Sequence, residues 1–88
     1  MVKQKVVICN PTGLHLRPAG MFCKTAMEFE CKITFQCRNT TANAKSVLSV
    51  LGACVKEGDT IEIMCEGEGE QEALKRMVEV VESGLDLE

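Results

Sequence analysis

Apolar and polar residues alternate without a break over Cys31–Arg38. That period of two predicts a strand with Cys31, Ile33, Phe35 and Cys37 on its buried face. Residues 2–9 predict an earlier strand, with Val2, Gln4, Val6 and Ile8 on one face and Val7 and Cys9 on the other. Asn10-Pro11-Thr12-Gly13 is a turn by composition. The spacing then changes to that of a helix, from Leu16 to Glu28, with Phe22, Cys23, Ala26 and Phe29 forming its apolar stripe. Pro18 fits the first turn, and because the residue before a proline avoids the α region, the cap is His15 or Arg17.

Beyond the turn at Arg38-Asn39-Thr40, a short strand is expected over Thr41–Ala44. Ser46 opens a short helix reaching Gly52, since its hydroxyl can cap the first N–H groups. Thr60–Glu66 is the last strand, with Ile61, Ile63 and Cys65 pointing one way. A final helix spans Glu70–Ser83, with Leu74, Met77, Val78 and Val81 as its stripe. Gly84 ends it, and Leu85–Glu88 is expected to be a frayed tail. The order β-α-β-β-α-β-α, with one apolar face per element, predicts an α+β fold. It would be an open-faced two-layer sandwich with four strands beneath helices on one face.

Composition narrows the picture. The chain has 88 residues, so a single domain over 1–88 is expected. Its core would supply only about 3–5 kcal/mol. Net charge is −3 and there is no Tyr or Trp, which weighs against nucleic acid. No stretch reaches the roughly 20 apolar residues of a membrane span, and no charged-then-apolar leader precedes the fold. A cytoplasmic location follows as the expectation. The six cysteines are then read as reduced and mostly buried small hydrophobes. With no C-x-x-C pair and one histidine, no metal or other cofactor is expected.

Chemistry concentrates in Gly13-Leu14-His15-Leu16-Arg17-Pro18-Ala19, at the junction of strand and helix patterns. The first turn of a helix has N–H groups without partners, and the dipole favours an anion there. Histidine is the side chain that titrates near neutrality, and a neutral imidazole is a nucleophile. A guanidinium two residues on can steady a phosphate by charge-assisted hydrogen bonds. The stretch reads as a phosphoryl acceptor site.

These residues resemble the pattern G-[LI]-H-x-R-P-A of the HPr family, the histidine-containing phosphocarriers of the bacterial phosphoenolpyruvate:sugar phosphotransferase system. A second marker of that family, a Lys-Ser pair opening a short apolar helix, stands here as Lys45-Ser46-Val47-Leu48. The resemblance spans essentially the whole chain. It implies an antiparallel sheet of order 1-4-2-3 under three helices. It implies that His15 takes a phosphoryl group on Nδ1 from phosphorylated enzyme I and passes it to the IIA domains of sugar permeases, with Arg17 contacting the phosphate. It further implies that Ser46 is phosphorylated by a serine kinase, whose phosphorylase reverses the step, and that the product binds a transcriptional regulator of carbon catabolite repression. Two departures stand out: the six cysteines, and Gly20 where alanine is expected.

Leu16, Met21, Val47, Leu48 and Leu51 are candidates for an apolar docking patch beside His15, although apolar residues at helical spacing are also what a core requires. A monomer is expected. Two other readings compete. One is a small cysteine-bearing metal-binding chaperone of β-α-β-β-α-β order, against which stand the missing C-x-x-C and the extra helix. The other is an HPr-like regulator without relay activity, which loss of the histidine would mark; His15 is present.

Overall fold

The computed structural model describes residues 1–85. The elements are β1 (Val2–Val7), α1 (Leu16–Ala26), β2 (Lys32–Cys37), β3 (Thr40–Asn43), α2 (Val47–Gly52), β4 (Thr60–Glu66) and α3 (Glu70–Glu82). The strands form one antiparallel sheet in the order β1-β4-β2-β3. Both the element order and the strand order match the expected open-faced sandwich. Val6 pairs with Ile61 across β1 and β4, and Phe35 pairs with Ile63 across β2 and β4. Alternation therefore sends Ile33, Phe35, Cys37, Ile61, Ile63 and Cys65 into the core together.

The helices close that face. The Phe22 ring meets Phe35 edge-on, with centroids 5.3 Å apart and planes at 85°, a favoured aromatic geometry. The core face of α1 is Ala19, Phe22, Thr25 and Ala26. Cys23 is half-buried, because at about 100° per residue it sits a quarter-turn or more from the Phe22 line. Thr25 is tolerated inside because its hydroxyl donates to the Met21 carbonyl at 3.0 Å. On α3 the buried residues are Ala73, Met77, Val78, Val80 and Val81, with Leu74 half-buried at the margin.

Several boundaries differ from expectation. β1 ends at Val7, because the chain leaves the sheet to bond the loop before β4: the Ile8 N–H donates to the Asp59 carbonyl and the Gly58 N–H to the Ile8 carbonyl. β3 begins at Thr40, and α1 stops at Ala26. The cysteines are not mostly buried: Cys31, Cys37 and Cys65 are, Cys23 is intermediate, and Cys9 and Cys54 are exposed; all six are free thiols. Alternation buries Cys37 and Cys65 on strand faces and Cys31 in step with them just before β2, while Cys9 and Cys54 lie in connections. Leu85 is no frayed tail. Gly84 at φ +91° lets the chain turn back, the Leu85 N–H donates to the Val80 carbonyl, and the leucine side chain is 4% exposed. This is a Schellman termination with its hydrophobic contact. The rest of the expected tail, 86–88, lies outside the described residues.

Candidate functional site

The connection from β1 to α1 forms the wall of an open cleft of about 920 Å³. Cys9 to Thr12 line one side, the first turns of α1 line the floor, and Ser83, Gly84 and Leu85 close it from the end of α3. His15 is the N-cap of α1, in an extended conformation (φ −78°, ψ −174°). Its carbonyl accepts the first helical bond, from Ala19 N–H at 2.7 Å. Its imidazole makes no capping hydrogen bond and is exposed. The N–H groups of Leu16 and Arg17 lie ahead of that first bond, and Pro18 has none to leave unpaired.

No acidic side chain occupies the first turn of α1. Arg17, Gly20, Met21 and Lys24 share the helix face that lines the cleft, at the i, i+3, i+4, i+7 spacing. The site thus gathers an imidazole, a guanidinium, an ammonium and unpaired N–H groups around one opening. That set suits a phosphate: a nucleophile, fixed partial positive charge, and mobile cations.

The sequence-predicted residues divide between two helices. His15, Leu16, Arg17 and Met21 line the cleft. Ser46, Val47, Leu48 and Leu51 belong to α2, which packs against α1. Leu16 and Leu48 are 68% and 83% exposed, so neither is core. Met21 and Val47 are half-buried, and Leu51 packs against the core cluster. Ser46 caps α2, its hydroxyl accepting the Ser49 N–H at 3.2 Å. Lys45 is tied elsewhere: its ammonium donates to the Phe29 carbonyl at 2.6 Å.

The cleft also holds Asn10, Lys24 and Leu85, which the sequence pattern does not by itself mark as site residues. Lys24 was readable, seven residues after Arg17 and so two turns along the same face. Leu85 follows a glycine just past a helix, where a hydrophobic closing contact is common. Asn10 opens a turn, where such a side chain often bonds the backbone ahead of it.

The site is therefore a histidine at the N-cap of a helix packed on an open-faced sheet, with Arg17 and Lys24 lining the same cleft, the arrangement of a small α+β sandwich built to meet an anion. Residues 2–83 match the model of the family described as PTS HPr component phosphorylation site, and the chain belongs to that family. It is 34% identical over 82 residues to the HPr-like protein Crh of Bacillus subtilis, covering 93% of this chain and 96% of that one. It is likewise 34% identical over 83 residues to the phosphocarrier protein HPr of Borreliella burgdorferi, covering 94% and 96%. Among solved structures, HPr-C-His from Thermoanaerobacter tengcongensis superposes with a TM-score of 0.94 at 36% identity, covering 100% of this chain and 99% of that one. An HPr dimer from the same organism matches at 0.78 and 36%, covering 99% and 100%.

Proposed function

We propose that this chain is a phosphocarrier that relays a phosphoryl group through His15 in the cytoplasm. The observation that carries the reading is the exposed, uncapped imidazole at the N-terminus of α1, beside Arg17 and the free N–H groups of the first turn. In the forward step the Nδ1 lone pair of His15 attacks the phosphorus carried by enzyme I. A nitrogen–phosphorus bond forms, and the bond to enzyme I breaks, its electron pair staying with enzyme I. Arg17 and the N-terminal N–H groups face the transferred oxygens. The step runs in reverse chemical sense to a IIA domain, with the His15 nitrogen now as leaving group. Each partner supplies the rest of the transfer site, so the carrier needs no metal or cofactor.

Leu16 and Leu48 are the docking residues this reading favours, since both stand out into solvent from helices packed together. Met21 and Val47 border them, and Leu51 contributes mainly to the core. Ser46 is the regulatory site. This reading takes the carrier as a monomer, and a dimer such as that of the Thermoanaerobacter tengcongensis HPr is compatible with it wherever the His15 cleft stays open.

A second reading is an HPr-like regulator that does not relay, for which the likeness to a protein named HPr-like speaks. Incubation with enzyme I and labelled phosphoenolpyruvate separates the two. A carrier takes up acid-labile, base-stable label that His15→Ala abolishes. Label that persists in His15→Ala, or no label in the parent, rejects the relay.

A further inference from the structure

We infer that Asn10 is the positioning residue that sets where the His15 imidazole stands; this rests on His15 being the phosphoryl acceptor. The imidazole makes no capping bond, so its place is decided by the backbone that leads into it. That backbone is the Gly13–Leu14 peptide, and both of its polar atoms are held. The Asn10 Nδ2 donates to the Gly13 carbonyl at 2.6 Å, and the Leu14 N–H donates to the Val55 carbonyl at 3.0 Å. The Gly13 N–H returns a bond to the Asn10 carbonyl at 3.1 Å. Gly13 itself stands at φ +62°, where a Cβ would collide with the Val55 carbonyl and the Lys56 Cα. The Gly13–Leu14 peptide, one residue ahead of the peptide that joins His15, is therefore clamped from Asn10 on one side and from the 55–56 loop on the other.

Asn10 is 8% exposed, and its Oδ1 is buried without a hydrogen-bond partner. An unpaired buried acceptor is unfavourable. Truncating the side chain removes the clamp but also removes that acceptor, so the two effects on stability oppose each other. The effect on placement runs one way: the bonds from Leu14 to Val55 and from Gly13 to the Asn10 carbonyl remain, but the Gly13 carbonyl loses its one side-chain donor. Phosphoryl transfer depends on close, aligned approach of nucleophile and phosphorus, which a shift of the N-cap spoils.

The test compares Asn10→Ala and Asn10→Asp with the parent. Asn10→Asp places an acceptor where the Gly13 carbonyl needs a donor. Ile33→Val, remote on β2, serves as the control for a small loss of thermal midpoint. With enzyme I, Asn10→Ala should lose about tenfold in kcat while KM stays within about twofold, as misalignment does. Asn10→Asp should lose at least as much. Reaction with potassium phosphoramidate, a small donor that needs no docking geometry, should be unchanged. Hydrogen exchange at the Leu14 amide should speed up at least tenfold in both variants, whether or not the protein is a carrier. Unchanged Leu14 exchange, or a kcat equal to the parent's or reduced only as much as in Ile33→Val, overturns the inference. Absence of His15 label in the parent, with Leu14 exchange raised in the variants, instead rejects the relay and leaves the clamp as found.

Discussion

The Leu85 N–H donates to the Val80 carbonyl at 3.1 Å, folding the end of α3 back over the His15 cleft. The leucine side chain seals that corner of the core. Leu85→Ala should cost about 2–5 kcal/mol, the range for truncating a buried leucine. Chemical denaturation checks this: a loss well under 1 kcal/mol would mean the contact is made only part of the time.

Gly20 lies in α1 without a positive φ, and a Cβ built there meets nothing within 4 Å. Its lack of a side chain is not required by packing within this chain. Gly20→Ala should raise stability by about 1 kcal/mol, through helix propensity. For a chain of this size that is a midpoint rise of roughly 4–8 °C. Gly20 borders the cleft, so the phosphorylation rate with enzyme I is the companion measurement. A rate loss in a more stable variant would show that a partner uses the open space.

Burial pushes the Cys65 thiol up to about 11, with the neighbouring Cys31 and Glu70 adding to the rise. Cys37 is also raised, chiefly by burial. A thiol whose pKa is higher folded than unfolded contributes stability that is complete below its unfolded value. That contribution is lost as pH rises toward the folded value, because the unfolded chain releases its proton first. Stability should therefore fall between about pH 8.5, the ordinary thiol value, and pH 11. Cys65→Val should flatten that fall. In the native protein a thiol reagent should find Cys9 and Cys54 quickly, Cys23 more slowly, and Cys31, Cys37 and Cys65 only after unfolding. A rapid reaction of more than three thiols would contradict the buried placement.

The uneven legibility of these features has a physical basis. β2 and β4 were readable because a sheet covered on one face imposes strict alternation, and their residues obey it from Ile33 to Cys37 and from Ile61 to Cys65. β1 lies at the sheet edge, and Gln4 and Lys5 are exposed, so its pattern is loose and its end was misplaced. His15 and Arg17 stood out because a turn and a helix start bracket them. Asn10 and Leu85 did not, because a turn side chain that bonds the backbone ahead of it and a residue beyond the end of α3 carry no periodic signal, whereas Lys24 follows Arg17 on one face of α1. Leu85 in particular depends on where α3 ends, and helix ends are set by caps more than by periodicity.

Ser46 tests whether one side chain serves both as a cap and as a switch. Its hydroxyl accepts the Ser49 N–H at 3.2 Å, so Ser46→Ala should cost about 1 kcal/mol, the usual loss of an N-cap. Aspartate is also a good N-cap, so Ser46→Asp should keep its thermal midpoint. The two variants should part in the opposite order when transfer is measured. Leu48, two residues on, is 83% exposed, and in the proposed function it meets enzyme I. A charge beside that contact must be desolvated on docking, or it repels an acidic partner. Nearby Lys45 keeps its charge, but its ammonium is placed at the Phe29 carbonyl instead of on a carboxylate or phosphate at Ser46. Ser46→Asp should then hold its midpoint and lose rate with enzyme I, while Ser46→Ala loses midpoint and keeps most of its rate. Small-donor phosphorylation by phosphoramidate should be the same in both, because it involves no docking. A Ser46→Asp variant that transfers from enzyme I as fast as the parent would reduce Ser46 to a helix cap.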